Sequence, residues 1–141
     1  MTKKNNSSPA HAGDNIQARK AGWSFGGKVP ARFNEHIRRS VPWYETGHEI
    51  VLGISDHLTP VGGLIYDIGC STGTLSAKLA RRHSGRDVRV IGIEREAAML
   101  NKARQLRHPG LSFKKMDASA LRLQTCHLGV LYYVLQFVDP A

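Results

Sequence analysis

The chain has 141 residues, 20 Lys and Arg against 11 Asp and Glu, a formal net charge of +9 and two cysteines. That length holds one domain of ordinary size, and 41% hydrophobic residues suffice for a core, which excludes disorder throughout. Two cysteines exclude a disulfide framework, the opening residues do not read as a secretory segment, and the apolar run at 130–138 is too short and too polar to span a bilayer.

The reading is therefore a soluble, basic, cytoplasmic domain with no membrane partner. Residues 1–60 carry eight basic and five acidic side chains, and residues 61–141 carry twelve and six, so the excess is spread along the chain. A basic surface concentrates anions and favours nucleic acid as a neighbour. No aromatic-basic stacking platform accompanies it. Charge alone is equally compatible with a basic protein that has no such partner.

Residues 1–20 lack an apolar period and read as a disordered basic tail. Residues 21–60 read as a helical segment. Trp23-Ser24-Phe25-Gly26-Gly27 is an aromatic pair before a flexible turn. Residues 31–40 are expected to be helical, with Phe33, His36, Ile37 and Ser40 on one face. Pro42 breaks the pattern at Val41. A second helix is expected over 44–57, with Ile50, Val51, Ile54 and Leu58 at helical spacing.

After a loop at 59–63 the period changes. Leu64-Ile65-Tyr66-Asp67-Ile68 reads as a strand, 74–82 as a helix, 88–93 as a strand and 96–106 as a helix. A third strand starts at Leu111 and ends near Asp117, and a fourth runs 128–133. Strands alternating with helices predict βαβ units and a parallel sheet, an α/β fold.

The informative stretch is Asp67-Ile68-Gly69-Cys70-Ser71-Thr72-Gly73-Thr74. An apolar strand ends in an acid, passes through a small-residue loop and opens a helix. Gly69 permits positive φ and close backbone approach to a ligand, and N–H groups at the helix start would face the crevice at the strand's carboxyl end. A dinucleotide fingerprint needs glycine where Ser71 and Thr74 stand, and a P-loop needs a lysine that this loop lacks. Glu94 ends the second strand, where an acid can accept ribose hydroxyls. Asp117 follows the third strand. The competing reading is a sheet protein with solvated acids at its strand ends.

Asp67-x-Gly69-x-Ser71-x-Gly73 resembles motif I of class I S-adenosyl-L-methionine (AdoMet)-dependent methyltransferases, with serine at the usual middle glycine. The resemblance implies a Rossmann-like class I methyltransferase fold. It also implies a transferase that moves a one-carbon group to an unidentified acceptor. Its cofactor site would use Asp67, Gly69, Cys70, Ser71, Gly73 and Glu94, with Asp117 and Ala118 at the adenine. Trp23-Ser24-Phe25, Arg39-Ser40-Val41-Pro42-Trp43-Tyr44, Gly69-Cys70-Ser71 and Leu135-Gln136-Phe137 further resemble the carboxy-S-adenosyl-L-methionine synthase family, over about residues 21–141. That family carries the methyltransferase fold. It makes carboxy-AdoMet from AdoMet and prephenate for tRNA wobble-uridine modification. It implies that Tyr44 closes over the ligand. Arg95 stands where the family has Asn, and so does Tyr132; both positions touch the ligand.

The remaining candidates have plainer readings. Cys70 has no evident base or orienting group and reads as a small packing residue. Trp23 and Trp43 read as packing or a lid beside Tyr44. The seven histidines show no metal spacing, so no metal is expected, and no catalytic residue can be named. A class I sheet has seven strands in the order 3-2-1-4-5-7-6, and about four are readable here, in 61–141. The pattern therefore predicts the N-terminal half of that fold, within a longer protein. Strand four would be an apolar edge, 130–135, open to a partner strand or to a second copy in a homo-oligomer. A non-catalytic cofactor-binding or partner-binding role is the alternative from another class.

Overall fold

A computed structural model of the chain describes residues 17–19, 22–24 and 29–138. In chain order the elements are β1 (Gln17–Arg19), β2 (Gly22–Ser24), α1 (Val29–Ser40), α2 (Tyr44–Leu58), β3 (Leu64–Ile68), α3 (Thr74–Arg82), β4 (Arg89–Glu94), α4 (Ala97–Ala103), β5 (Leu111–Lys115) and β6 (Leu128–Val130). The fold is α/β. Four parallel strands form one sheet in the order β5-β4-β3-β6, which matches the expected 3-2-1-4.

The apolar runs explain the frame. All five residues of β3 are buried, as are Val90 to Glu94 of β4, as expected of central parallel strands covered on both faces. On one face Ile65, Val90 and Val130 pack against Leu52 of α2 and Leu75, Leu79 and Ala80 of α3. On the other, Leu64, Tyr66, Ile68, Ile91 and Ile93 are covered by Met116, Ala118, Leu121 and Cys126. That second cover is the connection between β5 and β6, whose regular structure is one 3-10 turn, Ala118–Ala120.

The N-terminal helices are fastened to this frame by charge. Glu45 accepts from Arg38 Nε at 2.6 Å and from Lys78 Nζ at 2.8 Å, joining α1, α2 and α3. These bonds pull the Glu45 carboxyl down to about 2. Among the described residues no helix is long and apolar enough to cross a membrane.

Three expectations change. Residues 17–19, read as part of a structureless tail, form β1 and pair with Gly22–Ser24; a backbone ladder needs no apolar period. Residues 1–16 lie outside the described residues. Helix α4 stops at Ala103, and 104–105 form a turn. The fourth strand is also shorter: β6 ends at Val130, and Tyr132 and Tyr133 form a turn. Tyr133 has φ +54, which no strand accommodates. The apolar edge expected over 130–135 is thus three strand residues, Leu128–Val130, followed by a turn toward α2.

Candidate cofactor-binding site

The carboxyl ends of β3, β4, β5 and β6 open into one cavity of about 380 Å³, roofed by α1 and α2. Its size falls within the roughly 300–1,000 Å³ of small-molecule sites. Tyr44, Asp67, Gly69, Cys70, Ser71, Glu94, Arg95, Asp117, Ala118 and Tyr132 all line it. Of the residues read from the sequence as cofactor contacts, only Gly73 does not. Its φ is +76, and a Cβ there would lie 2.8 Å from the Phe113 ring. Gly73 therefore packs the loop against Phe113 of β5 and does not line the cavity.

The loop itself is wired inward. Gly69 and Cys70 donate their N–H groups to the Ile93 carbonyl, at 2.8 and 2.9 Å, and Gly73 donates to Cys70 O. Ser71 N–H donates to Glu94 Oε2 at 2.9 Å. These four loop N–H groups are thus taken, because neighbouring strand and loop oxygens already accept from them. Ser71 has φ +54, so the loop keeps a glycine-like backbone at the departing position, at some steric cost.

Three acids sit at the strand ends, as expected. Asp67 is buried and accepts from Ser76 Oγ at 2.5 Å. Burial pushes its carboxyl up to about 6, against that hydrogen bond. Glu94 is buried and bidentate to backbone: Oε2 accepts from Ser71 and Oε1 from Glu96 N–H at 2.8 Å. Desolvation raises its pKa, and backbone N–H groups of Glu96, Ser71 and Arg95 oppose the shift. Asp117 is more open. It accepts from Ser119 N–H and Oγ, which lower its pKa, and Arg95 Nη1 lies 3.6 Å from its other oxygen.

The opposite wall is aromatic. Tyr44, the first residue of α2, lies 4.5 Å from the His48 ring, 5.6 Å from Tyr132 and 6.3 Å from Tyr133, centre to centre. Tyr132 donates its hydroxyl to Tyr44 O at 2.9 Å, across 88 residues of sequence. Gly47 faces Tyr132 so closely that any Cβ there would strike the phenol, so this wall needs a glycine one turn into α2. Burial pushes the Tyr44 phenol up to about 12. His48 is fully buried, and neither ring nitrogen has a hydrogen-bond partner. Desolvation pulls it down to about 4, so its ring is neutral at pH 7.

Some wall residues were not read from the sequence as ligand contacts. Phe33 and Ile37 of α1, Met99 of α4, and Val134, Gln136 and Phe137 after β6 also line the cavity. His48 was visible only as Tyr44 plus four on a helix face. Trp43 is 80% exposed and is not part of the wall, so it forms no lid; the side chain of Trp23 lies outside the described residues. Cys70 lines the cavity with its thiol well above the usual range, chiefly by burial, with Asp67 and Glu94 adding to it. A thiol so poised is no nucleophile.

A family model for a methyltransferase domain matches residues 65–141. The chain belongs to the methyltransferase-domain family. The cofactor class that goes with this family is S-adenosyl-L-methionine. Among curated relatives, carboxy-S-adenosyl-L-methionine synthase of Wolinella succinogenes is 31% identical over 125 residues, covering 86% of this chain and 52% of the relative. The synthase of Sulfurimonas denitrificans is 30% identical, covering 88% and 54%. The chain thus spans about half the length of the curated relatives it matches. Among solved structures, the plantazolicin methyltransferase BpumL, in complex with a triazolic desmethylPZN analog and SAH, superposes with a TM-score of 0.49 at 18% identity, over 68% of this chain and 37% of that one. A SAM-dependent methyltransferase from Aquifex aeolicus gives 0.48 at 20%, over 67% and 50%.

Proposed function

We propose that this methyltransferase-family chain binds S-adenosylmethionine across the strand ends and serves a one-carbon transfer. The single observation that carries the reading is Glu94: a buried carboxylate at the end of β4, on the cavity wall, held by two backbone N–H groups. A carboxylate accepts up to about four hydrogen bonds, so Glu94 keeps acceptor capacity for the ribose edge of a ligand. Asp117 and Ala118 would border the adenine, with Arg95 at the rim. Gly69, Cys70 and Ser71 would pass beneath the methionine part, and Tyr44 would close over it. Asp67 would support the loop through Ser76.

When bound, the sulfonium supplies the activated one-carbon group. The protein's part is to orient it and exclude water. The rings of Tyr44, His48 and Tyr132 would form the wall that does so. Thermal unfolding tests the reading: S-adenosylmethionine and S-adenosylhomocysteine should raise the midpoint, by mass action on the folded state, and NAD should not. Equal shifts with NAD would reassign the cavity to dinucleotides.

A second reading is a carboxy-S-adenosyl-L-methionine synthase-like role, feeding tRNA wobble-uridine modification in the cytoplasm. It is favoured by the relatives so named at about 30% identity and by Tyr44 over the cavity. Mass spectrometry of ligand co-purified with the protein separates AdoMet from its carboxylated form, and finding only AdoMet would count against this second reading. Homo-oligomer formation is a further proposal. It rests on exposed Leu131 and Leu135 beside β6, and sedimentation would read it out.

A further inference from the structure

His48 is completely buried, lines the cavity and leaves both ring nitrogens without a hydrogen-bond partner. A neutral imidazole carries one donor and one acceptor, and leaving them unmade inside a protein is costly. The nearest charged oxygen, Glu45 Oε2, is 3.9 Å from Nδ1, beyond hydrogen-bond reach, and it is already taken by Lys78. Tyr132 has spent its hydroxyl on Tyr44 O. Gly69, Cys70 and Ser71 have spent their N–H groups on Ile93 and Glu94. An anionic group lying between this loop and α2 would find few donors, and His48 is one of them.

We propose that His48 donates a hydrogen bond to the carboxylate of the amino-acid part of a bound S-adenosyl ligand. The inference rests on the cofactor reading above and adds to it the residue that reads the ligand's amino-acid end. Tyr44 and Tyr132, at 4.5 and 5.1 Å from the His48 ring, hold the imidazole from two sides. Its placement on α2 makes the N-terminal helices part of the ligand's binding surface as well as its roof.

The test pairs two probes, S-adenosylhomocysteine and 5′-methylthioadenosine; the second lacks the amino-acid carboxylate. His48→Phe keeps the ring and removes both nitrogens. It should weaken S-adenosylhomocysteine about tenfold, the scale of one hydrogen bond to a charged group, and leave 5′-methylthioadenosine within about twofold. A folded variant that loses equally for both probes, or for neither, overturns the proposal. Wild-type protein that binds neither probe overturns the cofactor reading instead. Should His48→Phe not fold, nitrogen-15 spectra of wild type decide. One His48 ring nitrogen should shift with S-adenosylhomocysteine and not with 5′-methylthioadenosine, and identical responses overturn the proposal.

Discussion

The β4–β5 wall of the cavity and the α2–β6 wall are finished in different ways. On the first, every named acid is already bonded: Glu94 to Ser71 and Glu96, Asp117 to Ser119. On the second, two aromatic rings, Tyr44 and Tyr132, flank a histidine whose nitrogens have no hydrogen-bond partner. The first wall is preorganised by local backbone, over separations of 2 to 23 residues. The second is assembled from α2 and a turn 88 residues away. Local hydrogen bonding makes the β4–β5 wall rigid before any ligand arrives. The aromatic side is held by packing plus one hydrogen bond, and it keeps its polar capacity for whatever enters.

The sharpest way to break the first wall is Glu94→Ala. It removes the proposed ribose acceptor and strands the N–H groups of Ser71 and Glu96. Binding of S-adenosylhomocysteine should weaken about a hundredfold, from two hydrogen bonds to a charged acceptor, as read by calorimetry. A tenfold or smaller loss would move the ribose elsewhere.

Between the walls lies Asp67, whose folded-state pKa of about 6 stands above the ordinary 3.8. Its contribution to stability is full below pH 4 and is lost as the pH rises through 6. Asp67→Asn keeps an acceptor for Ser76 and removes the charge. Its stability gain over wild type should be near zero at pH 4 and about 3 kcal/mol at pH 8. Denaturant titrations at both pH values read the difference, and a pH-independent gap would contradict it.

On the aromatic wall the expected effect is smaller. Tyr132→Phe keeps the ring and loses the bond to Tyr44 O, which should cost about 1 kcal/mol of unfolding free energy. An unchanged midpoint would mean that ring packing alone holds this wall. Ser71→Gly relieves a left-handed serine and should stabilise by about 0.5 kcal/mol, the strain relief outweighing the added freedom of the unfolded chain. Destabilisation by Gly would show that the serine hydroxyl, 3.7 Å from Met99 Sδ, matters more than the backbone. Least of all, Arg95→Asn breaks an open ion pair at 3.6 Å and should shift stability by under about 0.5 kcal/mol.

The same contrast explains what could be read from the chain. β3, the loop from Gly69, and Glu94 and Asp117 follow from local patterns: an apolar run, small residues, and an acid at a strand end. Ser71 marked a departure, and its left-handed φ shows why glycine is usual there. The spent N–H groups of the loop were not legible, because Ile93 accepts from them through parallel pairing of β3 with β4. His48 was not legible either. Nothing in its sequence neighbourhood tells a buried cavity histidine from a surface one until Tyr132 is brought beside it. Tyr133 hid the end of β6, since β-prone residues continue the apolar run past the point where the backbone turns.

The most direct measurement is a calorimetric titration of the folded, wild-type chain with S-adenosylhomocysteine. One saturable site is expected, with competition by S-adenosylmethionine. Folded protein giving no heat up to millimolar ligand would contradict the assignment of the strand-end cavity to this cofactor.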